Sequence, residues 1–262
     1  MPFVHDKNLI EEHRQWLAQF DPRHTKNWQQ DFENNQDGAM CEAAFRRLLQ
    51  INGLIVEPNR SLTNNIGGPD FRCKNNGQHF YIEATCIPRE VASQEVWLPE
   101  RLADITTSRV TGDLTWAVWE AAKEKTPQCA NQDAPTLLAI GTFHQSASQL
   151  CVEECLAEKI LVGHTRYVVS VPKKPGPQPS KGKIMTELKS AVGLRLNSDH
   201  IIPVRRTISG LILGGLGIDP VKIYGVLLPE PARPFDRKLL PKIPFCRLQS
   251  GYKTGPLNTK WI

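Results

Sequence analysis

The chain of 262 residues has no run of about eighteen apolar residues, the length a membrane-spanning helix needs. Its opening Met-Pro-Phe-Val-His-Asp-Lys-Asn-Leu-Ile-Glu-Glu-His also lacks the apolar stretch and small-residue cleavage site of a secretory signal. A cytoplasmic protein with no membrane partner is therefore expected. A disulfide framework is missing too, since seven cysteines lie scattered at 41, 73, 86, 129, 151, 155 and 246, which is the pattern of reduced thiols. Cys151 and Cys155 have the spacing to share a helical face, but no second Cys/His pair stands at finger-like spacing to complete a zinc site. Three enzyme signatures are absent as well. The glycine-rich stretch from Ser209 to Asp219 has no Gly-Lys-Ser/Thr and reads as a glycine-broken strand and turn, and neither His-Glu-x-x-His nor Gly-x-Ser-x-Gly occurs.

What is present is an ordinary globular composition, 40% hydrophobic and 23% charged, sufficient for one compact domain or a domain with one large insertion. The net charge of +5 conceals an asymmetry: the first 162 residues hold 15 Lys and Arg against 22 Asp and Glu, whereas the last hundred hold 17 against 5. Those last hundred residues offer a footprint for a polyanion, or else a basic surface folded against the acidic part.

Apolar spacing predicts a helix over 7–20, a polar stretch over 21–37, and a second helix over 39–51 that buries Phe45, Leu48 and Leu49 and ends at Asn52-Gly53. A short strand follows at 54–56. Asn76-Gly77 is a type I′ hairpin signal between strands expected near 69–74 and 79–86. Beyond a polar insertion over 87–112, Leu114, Ala117, Val118 and Ala121 place a helix over 113–125 that Pro127 ends. The continuous apolar run from Thr136 to Phe143 reads as a central strand, followed by a helix over 147–160 and a strand from Tyr167 to Val171. Four prolines and two glycines over 172–183 leave a basic loop, after which a helix over 184–196, strands near 207–214 and 222–228, and a proline-rich basic tail are expected. The alternation makes the fold class α/β.

With Asn76 and Gly77 at the turn, facing residues have numbers that sum to 153, so Arg72 faces Tyr81 and Asp70 faces Glu83. Two carboxylates would then stand with Cβ atoms about 4.5 to 5.5 Å apart, a repulsion that a cation between them would relieve. Mg²⁺ takes such oxygen ligands, with Mn²⁺ as a substitute. Thr85 falls on the Glu83 face, while Phe80, Ile82 and Ala84 point the other way. Glu42 precedes Phe45 and Leu49 by three and seven residues, so it shares the helical stripe that faces the sheet. Each acid taken singly has an ordinary explanation as a first-turn, turn or exposed strand residue; their convergence is what draws attention.

Cys-Glu42-Ala-Ala-Phe, Gly-Gly-Pro69-Asp70-Phe and Tyr-Ile-Glu83-Ala-Thr85 resemble the helix-Glu, Pro-Asp and Glu-x-Lys motifs of the PD-(D/E)XK nuclease superfamily, over about residues 38–145. That resemblance implies a restriction-endonuclease-like domain over 1–262: a central mixed sheet flanked by helices, with the core at about 38–171 and a basic extension at about 172–262. It implies Mg²⁺ held by Asp70, Glu83, the main-chain carbonyl of Ala84 and Glu42, and phosphodiester hydrolysis in nucleic acid, DNA favoured, with restriction, repair or defence as the roles such chemistry serves. Thr85 stands where the motif has lysine. Some members look similar in having Glu-x-Thr, with the lysine supplied from the next helix, and Lys123 and Lys125 are both candidates here. The lysine's task, orienting the attacking water and stabilising transition-state charge, depends on position and not on the element that supplies it. Phosphate contacts are expected from Lys173, Lys174, Lys181, Lys183, Arg205 and Arg206. A catalytically inactive nucleic-acid-binding or protein-interaction module on the same fold is the alternative that Thr85 motivates.

Overall fold

The computed structural model describes residues 7–59, 68–94, 98, 107–169, 182–198, 200–249 and 257–262. The chain folds as α1 (Lys7–Leu17), α2 (Pro22–Asn34), α3 (Gln36–Ile51), β1 (Ile55–Pro58), β2 (Phe71–Asn75), β3 (Gln78–Cys86), α4 (Arg89–Gln94), α5 (Thr107–Lys125), β4 (Thr136–Thr142), α6 (Gln145–Cys151), α7 (Glu154–Val162), β5 (His164–Val169), β6 (Gly182–Glu187), β7 (Leu194–Asn197), β8 (His200–Pro203), β9 (Gly210–Gly215), β10 (Lys222–Leu227), β11 (Phe245–Leu248) and β12 (Thr259–Trp261). Eight strands form one mixed sheet in the order β1-β2-β3-β4-β9-β10-β11-β12, with β3, β4 and β9 mutually parallel at its centre. The α/β class with a mixed sheet flanked by helices is as expected. Four of the eight strands come from residues 210–261, the stretch read from sequence as extension.

Alternation of side chains along each strand sends apolar groups to both faces. Phe80, Ile82 and Ala84 of β3 join Ala139 and Ile212 in a core capped by Leu9, Trp16, Trp28, Cys41 and Phe45 of α1 to α3. On the opposite face Leu138, Ile140, Leu211 and Leu213 pack against Leu114 and Val118 of α5, Leu150 of α6 and Ile160 of α7. All seven residues of β4 are buried, as befits a strand covered on both sides. Helix α3 lies close over the sheet because two glycines leave room: a Cβ on Gly141 would meet Cys41 Sγ at 2.9 Å, and one on Gly214 would meet Phe45 Cζ at 3.0 Å.

The hairpin register is as expected, Arg72 facing Tyr81 and Phe71 facing Ile82, with Asn76 at φ 49° and Gly77 at φ 77° in the turn. Four expectations are corrected. The polar stretch 21–37 contains α2: the Asp21 side chain accepts from Arg23 N and Pro22 opens the first turn. The helix expected over 147–160 is broken between α6 and α7 at Val152 and Glu153, where Glu153 is extended. The strand near Tyr167 pairs with β6 in a separate two-stranded ribbon rather than in the main sheet. Instead of a helix over 184–196, the chain runs through β6, a single 3-10 turn at Leu188–Ser190 and β7. There β6 pairs with β5 and β7 with β8, and this strand pairing takes the place of the helix. The basic loop falls outside the described residues apart from Gly182 and Lys183, which begin β6.

Candidate active site

Helix α3 and the β2–β3 hairpin bound a cleft of about 510 Å³ lined by Glu42, Asp70, Glu83, Ala84, Thr85 and Lys125. Each arrives by a local rule. The Asn35 side chain caps α3 by accepting from Gly38 N at 3.0 Å, so the helix begins three residues earlier than Ala39 and projects Glu42 from its second turn. Asp70 stands one residue ahead of β2, whose ladder with β3 ends at Phe71 and Ile82. In place of the missing rung, Ala84 N donates to Asp70 Oδ2 at 2.8 Å.

Asp70 and Glu83 share the cleft just beyond the last rung of the ladder, where Pro69 has no N–H to continue it and the Asp70 carboxylate bonds to β3's backbone instead. On an antiparallel strand a residue's N–H and C=O lie on the same side. The Ala84 carbonyl is thus directed to the Asp70 side, beyond the last rung, where a main-chain ligand would be needed.

The cation beside Glu83 is a lysine from α5. Lys125 Nζ stands 2.9 Å from Glu83 Oε1, with the Glu83 side chain 2% exposed and that of Lys125 23% exposed. Leu114 and Val118 are fully buried on the same helix, and Lys125 continues their stripe eleven residues beyond Leu114. Burial lowers the lysine's pKa, but Glu83, then Asp70 and Glu124, outweigh that and hold it above its ordinary 10.5. Lys123 projects elsewhere, donating to Glu120 at 3.3 Å and lying over Trp119 at 5.2 Å. Of the two candidate lysines, only Lys125 reaches the acids.

Sequence reasoning did not anticipate His13. It is fully buried between Trp16 and Trp28, at ring distances of 5.2 and 4.8 Å, and its Nε2 lies 3.8 Å from Glu42 Oε1. Burial, assisted by the Arg46 charge, lowers its pKa to about 3, so the ring is neutral at pH 7 and its contact with Glu42 is not an ion pair. The unfolded chain protonates this histidine near 6.5 while the folded one does so only near 3, so its contribution to stability is present above 6.5 and is lost as pH falls toward 3. Urea unfolding at pH 7 and pH 5 should show a loss of about 2 kcal/mol from this group, and His13→Gln should remove that portion of the slope.

Thr85, in the position where the motif has lysine, is half-buried, and its carbonyl accepts the Cys41 thiol at 3.0 Å. Of the expected phosphate-binding residues, Arg205 donates to Val192 O at 2.8 Å and lies over Trp119, whereas Arg206 Nε donates to Glu230 O at 2.9 Å. Neither lines the acidic cleft. Lys173, Lys174 and Lys181 lie outside the described residues, and Lys183 pairs with Val168 in the β5–β6 ribbon.

Among the described residues no three His, Cys, Asp and Glu side chains form a ligand set by themselves. The donors that Asp70, Glu83 and the Ala84 carbonyl present are nonetheless all hard oxygens, the type Mg²⁺ and Mn²⁺ take in partial sets completed by water and phosphate. The chemistry of the cleft therefore fits such an ion. No helix among the described residues is long and apolar enough to cross a membrane. No family model, curated protein or solved structure matches the chain.

Proposed function

We propose that the protein is a Mg²⁺-dependent nuclease that hydrolyses phosphodiester bonds in nucleic acid, DNA favoured. The observation that carries this reading is the Lys125–Glu83 contact of 2.9 Å in a cleft shared with Asp70. It joins an acid, a second acid and a lysine by a route that Glu-x-Thr alone leaves open, and it supports the resemblance to the PD-(D/E)XK superfamily drawn from the motifs.

Asp70, Glu83 and the Ala84 carbonyl would hold the ion, with Glu42 directly or through water. When bound, the ion supplies Lewis-acid polarisation of the phosphate and lowers the pKa of a coordinated water. Lys125 stays protonated across the neutral range, so its Nζ donates a hydrogen bond to the attacking water or to a phosphoryl oxygen as negative charge builds there. The Ala84 N–H bond of 2.8 Å holds the Asp70 carboxylate at the cleft wall through Oδ2. The seven cysteines are all unbridged, which suits a reducing compartment such as the cytoplasm. Roles in restriction, repair or defence are consistent with this chemistry.

Thr85 also favours a second reading, a binding module that keeps the fold and not the reaction. One experiment separates the two. Supercoiled plasmid and single-stranded DNA are each incubated with the protein over a Mg²⁺ titration; cutting of at least one should rise with metal and be abolished in EDTA. Salt-sensitive binding with no cleavage at any Mg²⁺ or Mn²⁺ concentration would overturn the nuclease reading in favour of the module.

A further inference from the structure

Helix α5 carries a second feature that the acidic cleft does not use. Trp116 and Trp119, one turn apart, stack with ring centroids 4.8 Å apart and planes inclined by 10°. Trp119 has further neighbours in Arg205, whose guanidinium carbon lies 4.7 Å from its centroid, and Lys123 at 5.2 Å. Trp116, by contrast, is 46% exposed and so has ring surface to offer a partner. The pair borders a largely apolar groove of about 850 Å³, with Leu194 and Leu196 among its walls. Lys123, Lys189, Arg195 and Arg205 also line it, and no carboxylate does so among the described residues. Glu120 does not line this groove but borders the adjoining cavity, where it pairs with Lys123 at 3.3 Å and acts electrostatically on Arg205.

An apolar wall, an exposed indole and four cations describe a ligand that is flat, aromatic and anionic at once. A nucleotide with its base unpaired meets all three demands, because the base stacks while its phosphate meets the cations. A base within a closed duplex does not, since both of its faces are already stacked. A purely aliphatic ligand would leave the cations without use.

Position supports the same ligand. Trp116 also borders an adjoining cavity of about 410 Å³, together with Thr85, Cys86 and Glu124. Those three residues in turn line the acidic cleft. Cleft, cavity and groove therefore run on from one another along α5, so that one strand has a path from the acids to the tryptophans.

We infer that the Trp116–Trp119 groove is a stacking subsite for an unpaired base, which makes the substrate a single strand or a duplex with a displaced end. The inference deepens the nuclease reading by naming its substrate class. Its test does not depend on cleavage. Binding of a labelled ten-residue oligothymidylate is measured in EDTA beside an abasic oligonucleotide of the same length and a blunt duplex, for the wild type, Trp116→Ala and Trp116→Phe.

The wild type should bind oligothymidylate at least about tenfold more tightly than the abasic strand. Trp116→Ala should lose most of that difference without weakening on the abasic strand, and Trp116→Phe should retain the greater part of it. Equal binding of thymidylate and abasic strands by the wild type, or unchanged thymidylate binding by folded Trp116→Ala, overturns the subsite. Base-dependent binding without cleavage in Mg²⁺ leaves the subsite standing and removes the nuclease. Cleavage without base-dependent binding does the reverse.

Discussion

Lys125→Ala is expected to lower the cleavage rate by about 10²–10³-fold, the effect of deleting one preorganised donor at a developing negative charge. Lys123→Ala should cost far less at saturating substrate, because that ammonium is paired with Glu120 and does not reach Glu83; its effect should fall on the binding of substrate in the groove it lines. The comparison is sharp because the two lysines are two residues apart on one helix and only one reaches Glu83. Removing Lys125 also leaves a carboxylate that is 2% exposed without its nearest cation. Loss of one partner from a fully buried pair costs about 3–5 kcal/mol; with the Lys125 side chain 23% exposed, a smaller loss of about 2–3 kcal/mol is expected here. Cleavage rates should accordingly be measured below the variant's melting temperature, established by circular dichroism. Lys125→Arg keeps the charge and restores most of the stability, but its broader planar group should restore less of the rate. Normal cleavage by a folded Lys125→Ala would remove the lysine from the chemistry. Because its pKa is raised, the stabilising effect of this pair is fully present below pH 10.5 and is lost only as pH climbs through the higher folded value.

Asp70→Asn is expected to be more severe for activity and milder for the fold. The amide oxygen still accepts the Ala84 N–H that Asp70 Oδ2 accepts at 2.8 Å, so the end of the hairpin remains tied down and the melting temperature should move by no more than a few degrees. The negative charge is gone, however, and with it one of the oxygens that would hold the ion. A loss of several kcal/mol in transition-state stabilisation corresponds to at least about a thousandfold in rate. Calorimetric titration with Mn²⁺ should show uptake by the wild type and a marked loss of it in the variant. Asp70→Ala would confound the two effects, since it also strips the Ala84 N–H of its partner, at about 1–3 kcal/mol. Wild-type rate and Mn²⁺ uptake in Asp70→Asn would place the ion elsewhere or nowhere.

These two residues show how far the chain could be read in one dimension. Asp70 was found by counting outward from Asn76-Gly77, and the register so obtained agrees with the ladder down to Phe71 and Ile82. The ladder itself stops one residue short of Asp70, because its end depends on where the neighbouring chain leaves it, here at Pro69, and counting does not foresee the Ala84 N–H bond made there. Lys125 was one of two candidates, on the helical stripe of Leu114 and Val118, while Lys123 shared the face of Trp116 and Glu120. Periodicity places a side chain on a face but not against a particular atom. His13 and the Trp116–Trp119 stack had no sequence signal beyond residue type, since each acquires its meaning from an element distant in the chain. The missed helix α2 is different: Asp21-Pro22 is a readable start signal that its polar sequence obscured.

Local rules settled whatever depends on neighbours along the chain. Alternating and helical apolar spacing determined the α/β class, Asn-Gly determined the hairpin and its register, and the buried run from Thr136 to Phe143 determined the central strand. Tertiary structure alone decided that β9 to β12 complete the sheet, that residues 182–197 pair as ribbons and do not coil into a helix, and that Lys125 meets Glu83. The joining of β9 to β4 and the Lys125–Glu83 contact link residues 73 and 42 positions apart, and even the nearer ribbon pairings depend on packing and burial that no local window contains.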